Sequence, residues 1–141
     1  NTNSNIMFSH LIYMQKESTQ NGQDIVSQYF NNFKPIIDSI NKKIEIKKLF
    51  RMKLNLYVNQ NKKIEHAPHY DVMLSDQENK PNPDVTIGIL NFTTCNGGTK
   101  IGNKFYPSKA NELLLFNNTQ KHNGTVQTDS PVRIVLNMCW K

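Results

Sequence analysis

The chain has 141 residues and a mass of 16.3 kDa, enough for one hydrophobic core and too little for two. No apolar run approaches the roughly 18 residues that span a bilayer, and residues 1–10 lack both the basic and the apolar stretch of a signal peptide. A soluble, cytoplasmic protein with no membrane contact is expected. A net charge of +6 and a pI near 9.3 attract anions in general, nucleic acid and small di-acids alike, without choosing among them.

The chain opens on Asn1 rather than Met, which implies a start removed by processing or trimming, and the stretch that follows, His10 included, has no periodic signal. From Asp24 to about Lys43 the apolar residues Ile25, Val26, Tyr29, Phe30, Phe33, Ile36, Ile37 and Ile40 recur three and four apart. This spacing predicts an amphipathic helix, capped by Asp24 and kinked or divided at Pro35. The densest basic patch, Lys42, Lys43, Lys47, Lys48, Arg51 and Lys53, is interleaved with Ile44, Ile46, Leu49 and Met52, and reads as the solvated side of amphipathic structure.

After Leu49 the period falls to two, so that Met52, Leu54, Leu56 and Val58 point one way and Lys53, Asn55 and Tyr57 the other. Further strands are expected at His69 to Met73, Val85 to Phe92, Thr99 to Ile101, Glu112 to Phe116, His122 to Val126 and Val132 to Trp140. Turn residues at Pro81-Asn82-Pro83-Asp84, Asn96-Gly97-Gly98, Ile101-Gly102-Asn103, Asn117-Asn118 and Asp129-Ser130-Pro131 separate them. The fold class is mainly β with an N-terminal helix, an antiparallel sandwich or barrel with helices packed on one outer face. A single domain spans 1–141, with a helical support region at 1–48 and a β core at 49–140. Cys95 and Cys139 are expected as free thiols.

In the last strand Ile134, Leu136, Met138 and Trp140 form an apolar row suited to packing under the helix, while Arg133, Val135, Asn137 and Cys139 form the opposite row. A guanidinium on an inward row requires an anion, so this parity predicts a carboxylate or phosphate ligand. His69-Tyr70-Asp71 sets an imidazole and a carboxylate on one face, and His122 adds a second imidazole from a later strand. Two His and one carboxylate make the facial triad of non-haem Fe(II) oxygenases, which leaves coordination positions open. His66, three residues before His69, faces the other side and is expected as a loop or rim histidine.

The run Pro68-His69-Tyr70-Asp71, then Gly97-Gly98-Thr99, Pro107, Glu112 to Phe116, His122-x-Gly124 and Arg133 resembles the Fe(II)/2-oxoglutarate dioxygenases, in particular the prolyl 4-hydroxylase-like branch. The resemblance covers about Leu49 to Trp140. It implies a double-stranded β-helix, or jelly roll, with iron near its open end. His69, Asp71 and His122 would be iron ligands, Arg133 the anchor for the distal carboxylate of 2-oxoglutarate, and Tyr57 a hydrogen-bond donor to the same co-substrate, with Asn55 and Asn137 as further contacts. The implied reaction consumes O2 and 2-oxoglutarate and hydroxylates a peptide side chain, prolyl among the options, or a small molecule, with release of succinate and CO2.

Arg133 stands where collagen-type prolyl hydroxylases usually carry Lys, which argues against a collagen-like substrate. Cys139 stands where AlkB-type nucleic-acid demethylases carry a second Arg, which argues against base repair. A cupin-type enzyme without a 2-oxo acid, a non-catalytic jelly-roll module and a nucleic-acid-directed oxygenase remain the alternatives. The polar segment from Ser75 to Asp84 is the candidate lid.

Overall fold

Alternation of apolar and polar side chains along short extended segments gives this chain two-faced strands, which must bury one face against a partner. The structure, a computed structural model, describes residues 6–74 and 80–141. Its elements in chain order are β1 (Met7–Met14), β2 (Ile25–Val26), α1 (Phe30–Asn41), β3 (Leu49–Val58), β4 (Thr86–Asn91), β5 (Cys95–Ile101), β6 (Lys104–Ser108), β7 (Leu113–Asn117), β8 (His122–Thr125) and β9 (Val132–Trp140). They form a six-stranded sheet in the order β2-β1-β3-β9-β4-β7 and a three-stranded sheet in the order β6-β5-β8. Every strand pairing is antiparallel, and the arrangement is jelly-roll-like.

Tyr57, Ile87, Ile89, Phe116, Val135 and Cys139 from the larger sheet meet Ile101 of the smaller one, with Val126, in the core between the sheets. The outer face of the larger sheet carries Met52, Leu136, Met138 and Trp140, covered by Phe30, Phe33, Ile36, Ile37 and Ile40 of α1. Each large side chain so buried contributes about 2 kcal/mol. The row of Leu136, Met138 and Trp140 therefore lies under the helix, as its parity predicts, and Arg133 and Val135 face the inter-sheet side.

Several local expectations are corrected. Part of the region read as helical support is sheet: β1 is a full strand against β3, with a register shift between Leu11 and Tyr13. That bulge breaks the period of two, so no alternation marked the strand in the sequence. Ile25 and Val26 pair with Met14 and Tyr13 as β2, and the helix starts only at Phe30. Asp24 does not cap it; its carboxylate accepts from the Lys16 N–H at 2.6 Å and the Tyr13 hydroxyl at 3.3 Å. Among the described residues α1 is the one α-helix, so one helix rather than several covers the outer face. It runs through Pro35 without being divided, and the missing N–H there costs one main-chain bond in mid-helix.

The Asn96-Gly97-Gly98 stretch is not a turn but part of β5, which carries a bulge between Cys95 and Gly98. A side chain at Gly98 would run into the Tyr106 carbonyl and the Phe105 ring, so glycine is required by close strand approach. β6 was not expected at all. His69 to Met73 is not a regular strand, although His69 and Met73 each make an isolated bridge. Of the expected lid, residues 75–79 lie outside the described residues. Its stem is held by main-chain bonds from Leu74 N–H to Lys80 at 3.0 Å and from Asn82 N–H to Val72 at 3.0 Å.

Candidate metal centre

Two main-chain hydrogen bonds build the centre. His69 N–H donates to the His122 carbonyl at 3.0 Å and His122 N–H donates to the His69 carbonyl at 3.1 Å, which sets the two side chains next to each other. Their ring centroids are 4.7 Å apart. Asp71 follows two residues on, and its limb is clamped by Asn118, a fully buried residue. The Asn118 amide oxygen accepts the Asp71 and Val72 N–H groups at 3.1 and 3.2 Å, and its nitrogen donates to the Val72 and Asn82 carbonyls at 2.6 and 3.1 Å. The sequence marked Asn118 only as a turn residue.

Ligand atoms of His69, Asp71 and His122 all lie within 4.8 Å of one another, a grouping able to hold a metal ion. Asp71 Oδ1 is 3.6 Å from His69 Nε2, and Oδ2 is 3.4 Å from His122 Nε2. The His69 Nδ1 lies 3.0 Å from the Ala67 carbonyl, which favours a proton on that nitrogen and frees Nε2 as a ligand. His122 is 3% exposed, and both of its ring nitrogens are buried without a hydrogen-bond partner. Polar atoms left bare in a core are costly, and a cation bound at Nε2 would satisfy one of them. The donor set of two nitrogens and one carboxylate fits a transition metal such as iron.

Asp71 itself is held by two further side chains, one on each carboxylate oxygen. Arg51 Nη2 sits 2.7 Å from Oδ1, and Asn137 Nδ2 donates to Oδ2 at 3.0 Å. Burial alone would raise the carboxyl pKa, but the two imidazoles and Arg51 outweigh it and keep the group ionised far below the usual carboxylate range. Nearby Cys139 is pushed up to about 12, by burial first, and stays a neutral thiol. The hydrogen bond with Asp71 raises the pKa of His69 above 6.5, so a proton competes with any metal there. Divalent-metal affinity is therefore expected to fall as pH drops through that raised value, with proton release on binding. Calorimetry with Zn(II) between about pH 6 and about pH 8 in buffers of different ionisation enthalpy checks this. An affinity flat across that window, with no proton released, would contradict ligation by His69.

Behind the triad lies Arg133, 1% exposed. Its Nη2 donates to Thr99 Oγ1 at 3.1 Å, its Nε and Nη1 have no hydrogen-bond partner, and its guanidinium carbon lies 4.9 Å from the Tyr57 ring centroid. No carboxylate pairs with it among the described residues. Burial pulls its pKa down, yet a guanidinium stays charged, so the cavity contains an unneutralised cation. Tyr57 is raised by burial and remains a phenol. Gly124 leaves it room: a Cβ there would lie 2.7 Å from the Tyr57 hydroxyl.

Tyr57, Asn55, Asn137, Arg133 and the three candidate ligands line one pocket. Asn55 is engaged by the Ser9 hydroxyl at 2.9 Å, and the amide of Asn137 is committed to Asp71 and to Arg51, so its work here is to orient the carboxylate. His66 lies in the loop before His69, half-buried, but faces the same side as His69 rather than the other: its ring packs edge-on against Tyr57 at 5.3 Å and lines the same pocket. His10 sits apart on β1, its Nε2 2.9 Å from Ser27 Oγ.

Two basic groups at the site, Lys53 lining the pocket and Arg51 against Asp71, differ from the sequence expectation. Arg51 and Lys53, assigned to the solvated patch, continue the inward row of Asn55 and Tyr57, and β3 pairs them with Cys139 and Asn137 of β9. The period of two already placed Lys53 with Tyr57, and extending it one step would have found Arg51. A larger cavity of about 530 Å³ between α1 and the β4–β7 side is lined mostly by apolar groups and contains no candidate metal ligand.

No protein-family model and no curated protein matches the chain. Among solved structures, a 2OG-Fe(II) oxygenase-family oxidoreductase from Burkholderia pseudomallei superposes with a TM-score of 0.66 at 6% identity, over 99% of this chain and 70% of that one. KdgF from Halomonas sp. overlaps at a TM-score of 0.46 and 6% identity, over 66% of this chain and 74% of that one, too low to carry an argument. The chain thus has the fold of a 2OG-Fe(II) oxygenase-family oxidoreductase, and within that fold His69, Asp71 and His122 form a grouping able to hold a metal ion.

Proposed function

We propose that this chain is an Fe(II)- and 2-oxoglutarate-dependent oxygenase that hydroxylates a peptide side chain, prolyl or other, or a small molecule. The observation that carries the reading is Arg133, a buried guanidinium with two bare nitrogens, in the pocket lined by His69, Asp71 and His122. A lone buried cation is unfavourable unless an anion meets it, and a dicarboxylate that reaches from Arg133 to a metal supplies one.

In this reading His69, Asp71 and His122 hold the iron, which when bound supplies O2 activation coupled to conversion of 2-oxoglutarate into succinate and CO2. Arg133 receives the distal carboxylate in a bidentate fork, and Tyr57 and Thr99 donate hydrogen bonds beside it. Arg51 and Asn137 keep Asp71 ionised and fixed in rotamer. Phe116, edge-on to His122 at 4.8 Å, shields the inner side from water, while His69, 52% exposed at its side chain, faces the mouth by which substrate enters.

Anaerobic titration with Fe(II) and 2-oxoglutarate, followed by visible absorption, tests this directly. A metal-to-ligand charge-transfer band is expected in the wild type and is expected to be lost in His69→Ala. An unchanged band in His69→Ala and Arg133→Ala, or none in the wild type, would exclude the reading.

A further inference from the structure

Counting charge around the pocket among the described residues leaves one cation over. Arg51 is matched by Asp71 at 2.7 Å. Arg133, on the reading above, is matched by the distal carboxylate of the co-substrate. Lys53 lines the same pocket, half-buried, and makes no hydrogen bond or ion pair with the described residues. Its position on the inward row of β3 is fixed by pairing with Asn137 on one side and Leu11 of β1 on the other, next to the Asn137 that grips Asp71. Burial, and then the charge of Arg51, disfavour its ammonium and outweigh the favourable pull of the Asp71 carboxylate that Arg51 already holds. A lysine can usually escape such a site by extending its flexible stem into water. Here Lys53 instead lines the pocket together with His69, Asp71 and His122.

Resting on the oxygenase reading, we infer that Lys53 is the receptor for an anionic group on the substrate, a carboxylate or a phosphate, held beside the metal centre. The substrate class follows: a molecule that presents a negative charge a short distance from the C–H bond to be hydroxylated, such as an acidic side chain, a peptide C-terminus or a phosphate ester. A neutral substrate would leave the Lys53 ammonium desolvated with no compensation when it closed the pocket. An anion pairs with it and gains a charge-assisted hydrogen bond.

The experiment uses protein loaded anaerobically with Fe(II) and saturating 2-oxoglutarate, so that Arg133 is occupied and the visible band certifies the complex. Calorimetric titration with methyl phosphate in one arm and acetate in the other then reads the empty anion subsite. Saturable one-site binding of at least one probe is expected, weakened about ten-fold or more in Lys53→Met and in Lys53→Gln and recovered in Lys53→Arg, with the band intact in all. The tighter probe identifies the substrate anion as phosphate or carboxylate. Equal affinity in wild type and Lys53→Met, or no saturable binding of either probe to a wild type that shows the band, overturns the inference alone. Failure of the wild type to form the band is a different outcome, and it overturns the oxygenase reading beneath it.

Discussion

Asp71→Ala is expected to abolish divalent-metal binding and to destabilise the protein by about 3–5 kcal/mol, because it removes a ligand and strands the Arg51 guanidinium in the interior. Both side chains are largely inaccessible, 5% and 17% exposed, so solvent would screen the orphaned charge poorly. The two losses separate in the double variant Arg51→Met/Asp71→Ala. Replacing a buried ion pair by apolar groups is close to neutral, so most of the stability returns while metal binding stays lost. Arg51→Met alone leaves the carboxylate without its 2.7 Å partner, though Asn137 still donates to it, and metal affinity is expected to fall about 10- to 100-fold. Thermal denaturation with and without Zn(II), together with metal titration, resolves the four proteins. Should Asp71→Ala bind metal like the wild type, the triad is wrong. Should the double variant be no more stable than Asp71→Ala, Arg51 is not the source of the penalty.

Arg133→Met carries the second large effect, and its sign differs between the two states of the protein. Without co-substrate the guanidinium is a buried charge met, among the described residues, by Thr99 and the Tyr57 ring but by no carboxylate, so its removal is expected to stabilise the protein by about 1 to 3 kcal/mol. With co-substrate the same change deletes the partner of the distal carboxylate and weakens 2-oxoglutarate binding by about 100-fold or more. Arg133→Lys keeps the charge but loses the planar fork, and should fall between. Denaturation midpoints in the presence and absence of 2-oxoglutarate test both halves at once: the ligand should raise the midpoint of the wild type and leave that of Arg133→Met unmoved. A variant that is less stable than the wild type and still shifts with 2-oxoglutarate would mean that Arg133 is a structural residue.

Much of the centre is legible in the sequence, and the reason lies in the period of two. Residues two apart on a strand share a face, so Tyr57 and Asn55 could be placed with the buried side of β3, and Arg133 and Asn137 with that of β9, from spacing alone. The same logic, joined to chemistry, singled out His69, Asp71 and His122, which the fold brings within 4.8 Å of one another. Where periodicity was interrupted the reading went astray. The bulge in β1 hid a strand, Ile25 and Val26 fitted a helical pattern while pairing as β2, and adjacent glycines that look like a turn lie inside β5 because two backbones crowd there.

What the linear pattern determined was which side chains share a face; what it left open was what each face meets. Arg51 and Lys53 carry the composition of a wet surface, and only the pairing of β3 with β9, together with the limb bearing Asp71 folded over it, makes one a carboxylate partner and the other an ammonium without one among the described residues. The approach of His69 to His122 depends on two main-chain bonds between segments more than 50 residues apart, and the clamp by Asn118 on bonds across 46 and 47. Such contacts are non-local and are selected by the burial of the whole sandwich, so no window of sequence contains them.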